Sequence, residues 1–139
     1  MRKIYQTFFI YLTFFLTFCL FYINSKPIIK TNGKVEVYLG SNSSCCKFET
    51  TDYVGASLIF NKYGESVILE DENFNVEEFF RSVQGEIVLI EEIEGGTSFY
   101  AYSKEIKYLR EIKGERINLH VYVKGEKVII ASPIIFGSY

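Results

Sequence analysis

Twenty consecutive positions, residues 4–23, read IYQTFFIYLTFFLTFCLFYI and carry no charge. A helix advances ~1.5 Å per residue, so twenty residues match a hydrocarbon core roughly 30 Å thick. Six of the thirteen phenylalanines fall between Phe8 and Phe21. Gln6 and three threonines dilute the run, but threonine hydroxyls can bond back to carbonyls one turn earlier. Tyr5 and Tyr22 stand near its ends, where amphipathic rings favour the membrane interface. Length and an apolar surface on every side exclude an ordinary buried helix. Arg2 and Lys3 precede the run; positive charge stays inside, so the rest of the chain is expected to cross.

This predicts a signal anchor or signal peptide over residues 1–25, a linker over 26–33 and an extracytoplasmic domain over 34–139. The small-residue cleavage pattern is poor: Ile23 lies two positions before Ser25, and Pro27 follows. That favours retention as a single-pass plasma-membrane helix with the N-terminus cytoplasmic; cleavage would give a secreted domain. Leu16-Thr17-Phe18-Cys19 begins like a lipoprotein box, but Phe18 is too bulky for the position before the cysteine.

Charge divides the chain at the same place. Of its fifteen basic residues, four lie in residues 1–30, which contain no acid; the other eleven face all seventeen acids, a balance of −6. An acidic domain argues against nucleic acid as a partner. The expected partners are the lipid bilayer, through residues 4–23, and a protein in the cell envelope.

The domain reads as α+β: a curved antiparallel sheet with one helix, about residues 75–84, packed on one face. Val35, Val37 and Leu39 alternate with polar neighbours, the period-two mark of a half-buried strand. Residues 45–50, 54–60 and 65–70 are further strand candidates. Asn75 can cap a helix in which Val76, Phe79, Phe80 and Val83 form one stripe, and Gly85 is expected to stop it. Then comes a meander: residues 86–93, a Gly95-Gly96 turn, 97–103, 108–112, a Lys113-Gly114-Glu115 turn, 116–123, a Lys124-Gly125-Glu126 turn, and 127–131, with Pro133 ending the pairing. The helix stripe should cover Leu89, Leu119 and Val121. The opposite face would present Tyr100 or Tyr102, His120 and Tyr122 to solvent or to a partner.

From Val76 onward the segments EEFF, EIVLIEEI, GTSFYAYSKEIKYL, INLHVYV and VIIASPIIFGSY follow one another in an order that resembles the C-terminal part of the YwmB-like proteins. These are secreted or anchored bacterial proteins with a TATA-box-binding-protein-like fold. The resemblance covers residues 76–139 and rests most on Ile117-Asn118-Leu119-His120-Val121 and on the closing residues 128–134. It implies the fold and the location, and no catalytic residue; the −6 domain speaks against a nucleic-acid role.

No constellation for catalysis is legible, and no enzyme activity and no cofactor or metal is expected. His120 is the sole histidine and lacks a visible nucleophile or orienting partner. The acidic stretches 70–73 and 91–94 lack calcium-loop spacing. The tail Ile134-Ile135-Phe136 either docks on the domain's own core or, as an exposed strand with Ile135 and Phe136 outward, adds to a partner's sheet. Cys45-Cys46 is the most unusual feature. Successive strand side chains point to opposite faces, which reads as two separate thiols; the alternative is a strained vicinal disulfide acting as a redox or conformational switch. The expectation is free thiols: the peptide holding Cys45 and Cys46, from unreduced membrane-extracted protein, should gain no hydrogen on reduction, whereas a gain of a hydrogen pair would establish the switch.

Overall fold

Alternating sequence becomes strand throughout the part of the computed structural model that is described: residues 2–24, 29, 33–40, 47–50, 62–106 and 108–136. The first element is helix α1, Arg2–Asn24, ~35 Å long at the standard rise. Its threonines do fold back: Thr13 Oγ1 donates to Phe9 O and Thr17 Oγ1 to Thr13 O, both at 2.7 Å. Side chains are described for residues 5–20, and Phe8, Phe9, Phe14, Phe15 and Phe18 are 64–75% exposed. Among the described residues no helix is long and apolar enough to cross a membrane.

The domain contains β1 (Lys34–Tyr38), β2 (Lys47–Thr50), β3 (Gly64–Glu70), helix α2 (Val76–Ser82), β4 (Gly85–Ile93), β5 (Gly96–Ser103), β6 (Arg110–Ile112), β7 (Glu115–Ile117), β8 (Leu119–Lys124) and β9 (Lys127–Ser132). Seven strands make one sheet in the order β2-β1-β3-β9-β8-β5-β4, and β6-β7 is a separate hairpin. Every pairing is antiparallel, as the α+β expectation requires. The strand candidate at 54–60 lies outside the described residues.

Local chemistry fixes the turns. Glu94 and Gly95 (φ 52° and 76°) and Lys113 and Gly114 (φ 52° and 85°) take paired left-handed conformations, whose twist suits a two-residue hairpin. Gly96, just after the first turn, has a different duty: a Cβ there would meet the Tyr122 ring at 2.6 Å. Asn75 caps α2 through Oδ1, which accepts the Glu78 N–H at 3.0 Å. The expected stop at Gly85 is displaced. Gln84 takes the left-handed turn at φ 50°, and Gly85 already belongs to β4.

Val76, Phe79, Phe80 and Val83 all meet the core formed by Ile29, Val35, Val37, Val67, Ala101, Leu119, Val121, Val128 and Ile130. Leu119 and Val121 lie under the helix as expected; Leu89 does not. The β4–β5 register jumps from Ile87↔Ala101 to Leu89↔Tyr100. One extra residue, Val88, is therefore inserted as a β-bulge, and everything beyond it changes face. Ile87 and Ile90 stand on the helix side; Leu89 and Glu91 turn to the other.

The run 116–123, expected as one strand, is broken at Asn118. That side chain is 1% exposed and serves three backbone groups. Its Oδ1 accepts the Ser103 N–H at 2.7 Å, while Nδ2 donates to Ser103 O at 2.6 Å and Ile106 O at 2.9 Å. Its own carbonyl accepts the Ser132 hydroxyl at 2.8 Å. Asn118 thus joins the hairpin, β5 and β9 at one corner. Asn118→Ala should strand these buried groups and destabilise the domain by about 2–4 kcal/mol, measured as a lowered urea midpoint.

Candidate functional site

Strand alternation sends a second set of side chains to the face away from α2: Glu36 and Tyr38 from β1, Ser66 from β3, Ile129 and Ala131 from β9, His120 and Tyr122 from β8, and Ser98 and Tyr100 from β5. All are buried. The expectation of an open face is corrected here. His120 is 1% exposed, Tyr122 is inaccessible and Phe136 is 9% exposed; Tyr102 and Ile135 are half-buried. Two later segments fold over this face. The β6-β7 hairpin brings Arg116 over the Tyr102 ring at 5.3 Å and Lys113 onto the Glu91 carboxylate. That ion pair holds the Glu91 carboxyl below its ordinary range, chiefly through the Lys113 hydrogen bond.

The tail supplies the rest of the cover. Phe136 packs on Tyr38 with ring centroids 5.0 Å apart and edge-on to Tyr63 at 6.1 Å. Arg110 lies over both Tyr63 and Phe136, at 5.7 and 5.1 Å. Of the two readings of the tail, docking on its own domain is the one observed for residues 133–136.

At the centre, the His120 ring stacks on Tyr100 with centroids 4.2 Å apart and 23° between planes. Its Nδ1 accepts the Ile135 N–H at 3.2 Å. An accepting Nδ1 requires the neutral ring with its proton on Nε2. Burial enforces this, pushing the imidazole down to about 3, against a smaller upward pull from Glu91. His120 therefore pins the tail as a neutral ring near neutral pH.

Further along the same face, beyond β9, lies a polar group that sequence reading passed over. Glu36 Oε2 accepts the Tyr38 hydroxyl at 3.2 Å and the Ser66 hydroxyl at 3.5 Å. Glu65, on the helix side and 1% exposed, binds Lys62 Nζ at 2.7 Å and the Ile29 N–H at 2.9 Å. Nothing in the sequence marks these acids as buried: Glu36 stands between Val35 and Val37 like a solvent-facing residue, and Glu65 follows Gly64 at the start of its strand. Among the described residues no group of three or more His, Cys, Asp or Glu is arranged to hold a metal ion. Cys45 and Cys46 lie outside the described residues; Cys19, in α1, is a free thiol. No protein-family model, curated protein or solved structure matches the chain.

Acid should expose the role of His120. The unfolded histidine takes a proton below about pH 6.5, and the folded one only near 3. Its contribution is complete above pH 6.5 and falls toward pH 3, by at most about 1.4 kcal/mol per pH unit. Between pH 7 and 5, wild-type protein should lose urea resistance that His120→Gln keeps; equal slopes would refute the assignment.

Proposed function

We propose that the chain is an extracytoplasmic binding domain of the cell envelope, non-enzymatic and anchored by residues 4–23. One observation carries this reading. α1 presents large apolar side chains all round, from Tyr5 at 69% exposure to Leu20 at 62%, while the sheet closes its own core without them. In water such a surface is a liability. In lipid it is the solvent-matched state, with the threonine hydroxyls already bonded within the helix. The sequence continues the uncharged run past both ends of residues 5–20 to a full twenty positions. The order of the segments after Val76 supports kinship with the YwmB-like proteins.

His120, Tyr122 and Phe136 are withdrawn from the contact surface by their burial. A protein partner would instead meet edge strand β4, where Ile87 and Ile90 are 36% and 55% exposed. The alternative, a thiol-disulfide switch at Cys45-Cys46, rests on the adjacency of the two thiols in sequence.

Anchoring predicts that full-length protein stays in the pellet after alkaline carbonate extraction. It also predicts that intact spheroplasts yield the domain to added protease without lysis. Full-length, unprocessed chain in the carbonate supernatant would refute it.

A further inference from the structure

Ile29 records where the tether reaches the domain. It is 3% exposed, and its side chain joins Val37 and Val67 in the core. Its N–H is held by Glu65, whose other oxygen is neutralised by Lys62. This fastens the chain at the Gly64 end of β3. By Gly33 the chain lies further along β3, against Ile68 O and Val67. α1 ends at Asn24, and five residues of chain extend at most ~18 Å. That end of the sheet is thus kept within ~18 Å of the end of the helix.

The same end carries unusual surface. Outside α1 the described residues include five large apolar side chains that are exposed, and three of them, Leu39 (46%), Tyr63 (42%) and Leu109 (47%), gather there. Tyr38 pairs with Gly64, and the Tyr63 N–H donates to Tyr38 O at 2.7 Å, which sets Leu39 and Tyr63 side by side. Leu109 adjoins Arg110, which stacks over Tyr63. The neighbouring Tyr108 hydroxyl is pushed up by burial and by the charge of Glu65. Charged residues stand at both ends, Lys62, Glu86, Lys104 and Glu105 at this one and Lys34, Glu70, Glu94, Lys124, Glu126 and Lys127 at the other, but at the other end no large apolar side chain is exposed among the described residues.

We propose that the Leu39–Tyr63–Leu109 end of the sheet rests in the headgroup layer of the bilayer that α1 crosses, so that the domain lies on the outer leaflet in one orientation. This rests on the membrane reading of α1. Leucine and tyrosine partition into the interface. The −6 balance of residues 31–139 gives no attraction to anionic lipid, so the contact should form on zwitterionic bilayers.

The chain has no tryptophan, so single substitutions report depth. Full-length Tyr63→Trp, Leu109→Trp, Lys124→Trp and Phe14→Trp variants would each be reconstituted in phosphatidylcholine vesicles brominated either near the carbonyls or near the chain ends. Tyr63→Trp and Leu109→Trp should lose emission to the shallow bromines, Phe14→Trp to the deep ones, and Lys124→Trp to neither. If Phe14→Trp is quenched while both Tyr63→Trp and Leu109→Trp match Lys124→Trp, the docking is wrong and the anchor stands. If Phe14→Trp is also unquenched, the anchor fails and the docking with it. Leu109→Trp decides alone should Tyr63→Trp not fold.

Discussion

Strands β8 and β9 have no face left for water, and the architecture follows from that constraint. Leu119, Val121, Val128 and Ile130 point one way and His120, Tyr122, Ile129 and Ala131 the other, all buried. A sheet hidden on both sides needs two covers, and a short domain has little chain to supply them. Here α2 and Ile29 form one cover. The β6-β7 hairpin and residues 133–136 form the other.

The second cover explains the buried polar groups. Helix α2 meets its side of the sheet with valines and phenylalanines, and the few polar groups there are bonded, the Ser103 hydroxyl donating to Val83 O at 2.6 Å and Glu65 holding Lys62 and the Ile29 N–H. A hairpin and a tail bring backbone amides and carbonyls with them, and these must be bonded when water is excluded. Asn118 satisfies three around Ser103 and Ile106, and His120 satisfies Ile135 N–H. His120 is thus a structural acceptor. Its neutrality follows from the same burial that makes the acceptor necessary.

The start and the buried stripe of helix α2 were legible, because cap, stripe and dipole charges agree, while its end came before the expected residue 84. The strands of the meander were legible within a residue or two for the same reason. Three features were not. The Val88 bulge leaves EIVLIEEI looking like an unbroken strand, since nothing in a hydrophobic run says which residue is extra. Asn118 sits in the cleanest alternation of the chain, and period two is blind to a polar residue whose partners lie on other segments. The open face failed for a related reason. His120 and Tyr122 alternate with valine as solvent-facing residues would, and their cover comes from residues 108–117 and 133–136, whose own pattern does not point to a destination.

The attachment at Glu65 also sets how the molecule would answer a mechanical load. β3 is an interior strand, flanked by β1 and β9. Traction transmitted through residues 25–28 reaches the Ile29–Glu65 contact before it reaches Gly33 or β1. The pull is therefore taken up by a side-chain clamp seated on an inner strand, and β1 is not peeled from its neighbour until that clamp gives way. A domain joined through an edge strand would begin to unzip at the first ladder bond; this one has a breakpoint upstream of its sheet.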